Sequence, residues 1–136
     1  MNNIKRILGF VFINLFFIYS SNAQMTVGAE YLDGIIAILN EDGESGLLIQ
    51  KTDMDDLLNW EDAKKKCEKL GIGWRLPTLD EMKIINYNNQ FLNLKNAYWS
   101  GTEFGKFHSW IFIFQQRNGY TSNRIYKYYV RAVKPF

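Results

Sequence analysis

The chain has 136 residues, with 16 Lys and Arg against 14 Asp and Glu and 47% hydrophobic residues, the balance of one globular domain and not of a disordered or fibrous chain. Without Lys5 and Arg6 of the first segment, fourteen bases balance fourteen acids. A partner selected by net charge alone, nucleic acid above all, is therefore not expected. Aromatic residues make up 16% of the chain, enough to fill a core or to furnish a binding surface.

Met1 to Arg6 form a short positive segment, Ile7 to Tyr19 an apolar run, and Ser21-Asn22-Ala23 a small-residue cleavage pattern ahead of Gln24. This order predicts a secretory signal peptide over residues 1–23 and a mature domain over 24–136. The apolar run has thirteen residues, short of the roughly 18 to 20 that cross a bilayer, so no stable membrane insertion is expected after cleavage. The expected location is periplasmic, at the cell surface or extracellular. No disulfide can form within a chain that has a single cysteine, and Cys67 is expected to be buried and inert.

In the mature part, Ile35 to Leu39 and Leu47 to Ile49 read as a hairpin, with Asp42-Gly43 as its turn. Gln50 to Asn59 has no clear period and reads as a loop. Asn59 is placed to cap a helix with Trp60, Ala63, Cys67 and Leu70 on its buried side and Gly71 at its end. Thr78 and Glu81 have the spacing of a capping box for a second helix, buried through Met82, Ile84 and Ile85. Between the helices, Pro77 keeps Trp74 to Leu76 extended. Beyond the Asn-rich stretch 86–96, strands are expected at Ala97–Ser100, Ser109–Gln115 and Tyr126–Val133, with Asn118-Gly119 as the turn between the last two. Trp110 to Phe114 is apolar on both alternating faces, as in a central strand covered on both sides. Two consecutive helices between groups of strands make an α+β domain.

The ordered series Trp60-Glu61-Asp62-Ala63, Cys67, Trp74-Arg75-Leu76-Pro77-Thr78, Asp80-Glu81, Tyr98-Trp99-Ser100-Gly101-Thr102 and Val130-Arg131-Ala132-Val133 resembles the Lcl C-terminal domain family, a bacterial family named from the tail of a collagen-like surface adhesin. The resemblance runs from about Asp33 to Phe136. It implies a C-type-lectin-like single domain, with two helices and a mainly antiparallel, twisted sheet. It also implies an exported, non-enzymatic module, with glycan binding or surface adhesion as the function of some members.

The Trp-Arg-Leu-Pro-Thr segment also occurs in the formylglycine-generating enzymes, whose catalytic cysteines lie late in the chain, where this sequence has none after Cys67. His108 is the only histidine, and its neighbours Phe107, Ser109 and Trp110 suggest a strand entrance and not a triad. Glu81 could pair with Glu103, but the capping box already uses Glu81. Asp53, Asp55 and Asp56 could gather oxygen ligands for calcium, yet such a loop also reads as simply hydrated, and the Glu-Pro-Asn and Trp-Asn-Asp motifs of calcium-dependent lectins are absent. The reading is no catalytic residue, no metal and no cofactor.

The last third is different in charge. Phe104 to Phe136 holds Lys106, Arg117, Arg124, Lys127, Arg131 and Lys134 with no acid. Interleaved tyrosines can stack on sugars while the cations meet sulfate or carboxylate, so a surface glycan or other cell-surface polymer is the expected partner. The competing reading pairs these bases with the acidic first half. If a site exists it is expected on residues 117–128, with Arg117, Arg124 and Lys127 as cations and Tyr120 and Tyr126 as stacking faces. Mutation of Arg124 and Lys127 to Ala is then expected to weaken binding without unfolding. Arg75, Arg131 and the four tryptophans are expected to be structural. A structural subunit docked on an envelope protein is the alternative.

Overall fold

The computed structural model describes residues 23–94 and 96–136; the signal peptide expected at 1–23 falls, up to residue 22, outside the described residues. Two antiparallel sheets carry the fold, in keeping with the mainly antiparallel strand pairing expected. In the first, β1 (Glu30–Tyr31), β2 (Gly34–Leu39), β3 (Gly46–Ile49) and the C-terminal β7 (Val133–Pro135) lie in the order β1-β2-β3-β7. In the second, β4 (Ala97–Phe104), β5 (His108–Ile113) and β6 (Asn118–Asn123) lie in chain order. Between them in sequence come α1 (Trp60–Glu68) and α2 (Leu79–Tyr87), followed by a 3-10 turn at Asn89–Phe91. The α+β class and the two helices agree with the sequence reading.

The local chemistry of most elements is as the residues dictate. Asp42 closes the β2–β3 hairpin by accepting the Glu44 and Ser45 amides, both at 2.9 Å, and Gly43 takes φ +70°. Asn59 Oδ1 accepts the Asp62 amide at 3.0 Å and starts α1. At α2, Thr78 Oγ1 accepts the Glu81 amide at 3.1 Å while Glu81 Oε2 accepts the Thr78 amide at 2.8 Å, a complete capping box.

Successive residues of the strands point to opposite faces, and each helix covers one face. Ile36, Leu48, Trp99 and Ile111 pack with Trp60, Ala63 and Cys67 of α1. Ala37, Leu47, Tyr98 and Phe112 pack with Met82 and Ile85 of α2. The apolar run Trp110 to Phe114 thus belongs to a central strand covered on both sides, as its pattern requires. Among the described residues no helix is long and apolar enough to cross a membrane.

Several expectations fail locally. Leu70 is exposed because α1 ends at Glu68, so helical spacing no longer governs the next turn. Ile84 is exposed because a nine-residue helix buries a single stripe, here Met82 and Ile85. Trp60, Trp74 and Trp99 are buried, but Trp110 is half-buried, its ring edge-on to the exposed Phe104 at 5.7 Å.

Of the segment expected as the last strand, Tyr126–Val133, only Val133 enters a strand, β7; the residues before it join no continuous ladder. The segment's carbonyls accept the amides of Leu58, Met54 and Gln50 at Tyr128, Val130 and Ala132. On its other side Tyr129 bonds Trp99 and Ala97, and Val133 bonds Arg75 in both directions. The partner changes every two or three residues, so the segment forms a seam between the two sheets instead of a strand of either. The strand that pairs with β5 is Asn118–Asn123, in full register from Ile113↔Asn118 to His108↔Asn123. Asn118-Gly119 is therefore inside β6. Gly119 lets Leu79 pack closely: a Cβ there would stand 2.8 Å from Leu79 Cδ1, the end of a flexible side chain that would have to shift. The reversal itself falls at residues 114–117, where Arg117 holds φ +54°.

Candidate functional site

The five residues expected to form one site do not converge. Arg117 lies at one end of β6 and Arg124 just past the other, separated by an extended run of about 20 Å. Tyr120 is exposed on β6 between them, opposite Ile111. Tyr126 and Lys127 are exposed on the loop that follows Arg124.

Arg124, expected as a ligand group, is not a free cation. Its side chain is only 17% exposed and lies 4.2 Å over the Trp60 ring. The guanidinium donates to Ser109 Oγ at 2.9 Å, His108 O at 3.2 Å and Gly105 O at 3.1 Å, and faces Glu103 at 3.4 Å. It ties the β4–β5 hairpin tip to the loop at 124–127. That end of the sheet carries the exposed side chains of Phe104, Phe107, Ile125 and Tyr126, flanked by Lys106 and Lys127.

The six bases of the last third divide into two groups. Arg131 meets Asp53 at 2.8 Å, Lys134 meets Asp33 at 3.3 Å and Arg124 meets Glu103. Lys106, Arg117 and Lys127 have no acidic partner among the described residues. Pairing with the acidic first half, the competing reading, thus accounts for Arg131 and Lys134 alone.

The other charged residues of the interior serve the fold. Arg75 grips Glu81 with two bonds, 2.8 and 2.7 Å. Burial alone would raise the Glu81 carboxyl, but this guanidinium and the Thr78 amide outweigh it and hold the group below the usual carboxylate range. Asp53 accepts from Arg131 Nε and, at 3.0 Å, from the Tyr98 hydroxyl. Burial in the first place, and Asp53 in the second, push the Tyr98 phenol well above its ordinary value, so it remains a donor. Burial pushes the Cys67 thiol up to about 12, with Glu68 adding to the shift; the sulfur is an apolar core atom without nucleophilic character at neutral pH. His108 is exposed at the start of β5, and its carbonyl is an acceptor for Arg124. Among the described residues no three of His, Cys, Asp and Glu gather as a metal-ligand set.

The sequence reading passed over a cavity of about 410 Å³ between the C-terminal end of α2 and the β5–β6 turn. Asn86, Asn89, Gln90 and Gln115 line it, together with Tyr87, Arg117 and the buried Leu94 and Phe114. Asn89 is spent on the loop, since its side chain bonds Leu94 N at 2.7 Å and Leu94 O at 2.8 Å. The signal was present as amide density: the Asn-rich stretch after α2 and Gln115-Gln116 in the turn. Only their meeting in space was hidden.

No protein-family model and no curated protein matches the chain. Among solved structures, the crystal structure of botrocetin is similar at a TM-score of 0.45 and 11% identity, over 79% of this chain and 93% of that one.

Proposed function

We propose that this chain is an exported, non-catalytic binding module with a C-type-lectin-like fold, related to the Lcl C-terminal domains, and that it recognises an anionic surface glycan. The observation that carries the reading is the split among the bases of the last third. Half are consumed by internal acids, while Lys106, Arg117 and Lys127 stand on turns without an acidic partner among the described residues. At the end of the sheet opposite Arg117, Lys106 and Lys127 flank the exposed rings of Phe107 and Tyr126. Cations beside aromatic faces suit a sulfated or carboxylated polysaccharide, in which charge and the apolar face of the sugar ring alternate.

The test is retention of the purified protein on immobilised dextran sulfate across a salt gradient. Lys106→Ala with Lys127→Ala should elute at clearly lower salt than the parent, because two of the contacts that release counterions are gone. Identical elution of parent and double variant rejects the reading. The same exposed rings, with Phe104 and Ile125, favour one second reading, a subunit docked on an envelope protein. A complex with an envelope protein that survives excess dextran sulfate distinguishes it.

A further inference from the structure

We propose that the cavity between the end of α2 and the β5–β6 turn is a binding site for one pyranose residue bearing vicinal hydroxyls. The inference rests on the reading of the chain as a glycan-binding module, and adds a place and a chemistry separate from the cationic end of the sheet. Its volume of about 410 Å³ falls within the common range of small-ligand sites, roughly 300–1,000 Å³.

The wall chemistry selects the ligand class. Among the described residues, the side chains of Asn86, Gln90 and Gln115 have no hydrogen-bond partner and no Asp or Glu lines the cavity. A primary amide offers a donor pair and an acceptor side by side, so one hydroxyl can give a proton to the carbonyl while its neighbour accepts from the nitrogen. Adjacent hydroxyls on a pyranose present this same alternation. Tyr87, 85% exposed on the last turn of α2, supplies a ring face for the C–H side of the sugar. Asn89, held at both ends to Leu94, fixes the loop that carries Gln90.

Arg117, the residue that closes the β5–β6 turn, brings a cation to the wall. Its φ of +54° is a left-handed conformation that a residue with a Cβ adopts at a cost, and that glycine or asparagine would adopt more cheaply. Among the described residues Arg117 is the one cation that lines the cavity, and its side chain has no acidic or hydrogen-bond partner there. Five N–H donors placed there can reach sugar oxygens, and a hydroxyl or a ring carboxylate would answer them equally.

The test is a titration of the purified, 15N-labelled protein with methyl β-D-glucopyranoside, methyl α-D-mannopyranoside and methyl β-D-glucuronide, read by amide NMR shifts. Saturable shifts at residues 86–90 and 115–117 are expected with at least one of the three, and for a neutral sugar they do not change between low and high salt. A response to the glucuronide alone assigns the carboxylate as the group that Arg117 meets. Tyr87→Ala and Gln115→Ala should each weaken binding about tenfold. Arg117→Gly should weaken it similarly while melting no lower than the parent, since it relieves the left-handed backbone; lost binding then cannot be attributed to unfolding. Absence of saturable shifts at these residues with all three sugars overturns the proposal, as does full affinity in both Tyr87→Ala and Arg117→Gly. Dextran sulfate retention without sugar shifts refutes the cavity and leaves the cationic end standing, and the reverse pattern separates the two in the other direction.

Discussion

Replacement of Arg124 separates a structural from a ligand-binding role. Arg124→Ala removes the ring contact over Trp60 at 4.2 Å, worth about 0.5–1 kcal/mol, and it strands the hydroxyl of Ser109, which is fully buried. An unsatisfied buried acceptor costs roughly 1–3 kcal/mol, whereas the ion pair with the exposed Glu103 contributes close to nothing. Together these give a loss of about 1.5–4 kcal/mol, and at roughly 4 °C per kcal/mol for a domain of this length the melting temperature should fall by about 6–16 °C. Arg124→Lys should not restore it, because one ammonium cannot lie flat on the indole and still reach Ser109 Oγ, His108 O and Gly105 O. Lys127→Ala, on the same loop but exposed, should stay within about 0.5 kcal/mol of the parent. Urea unfolding followed by tryptophan fluorescence, with thermal melts by circular dichroism, measures all three. An Arg124→Ala protein as stable as the parent would refute the reasoning and return Arg124 to the binding surface.

Asp53→Ala leaves the buried Arg131 guanidinium and the Tyr98 hydroxyl without their acceptor, and should cost about 3 kcal/mol; Asp53→Ala combined with Arg131→Met should regain much of that in urea unfolding. Simple addition of the two single effects would show that the pair is not coupled. Glu81 has a folded pKa below its unfolded value of about 4.3, so its contribution is fully present above that pH and is lost as pH falls through the folded value. Glu81→Gln should be less stable at pH 7 and show a flatter loss of stability below about pH 4; parallel curves for the two proteins would contradict this.

The elements that were legible in the sequence are those fixed by neighbouring residues. Asp42-Gly43, Asn59 and the Thr78/Glu81 pair each satisfy backbone groups within three positions, so their turns and helix starts follow from the chain alone. Trp110 to Phe114 declared a two-sided environment by composition. What failed depends on distant partners. Nothing local distinguishes the glycine of a turn from Gly119, a strand residue closely approached by Leu79 of a helix forty positions earlier. The alternation in Tyr128 to Val133 is real, with Val130 and Ala132 facing the α1 side and Tyr129 and Val133 the α2 side. It gave no warning that the hydrogen-bond partners would be an irregular loop. The expected site residues are spread apart for the same reason: Arg117 to Lys127 are close in sequence, but β6 stretches them along an entire sheet edge.

Those distant contacts also determine where recognition can occur. Helices α1 and α2 and the seam at 128–132 cover the inner parts of both sheets while β6 stays largely exposed, and Arg131, Lys134 and Arg75 are taken up by Asp53, Asp33 and Glu81. Polar groups left without partners are therefore found on turns: the β4–β5 tip with the 124–127 loop at one end, the β5–β6 turn against α2 at the other. The two ends differ in kind. Arg124 braces the first, so its free groups are cations and rings on a rigid edge that suits a long charged polymer. At the second the free groups are amides around a concavity, suited to one ring held by directional bonds. Backbone strain beside that concavity falls on Arg117, where a glycine would relieve it, and this makes Arg117 the position at which stability and ligand affinity should move in opposite directions.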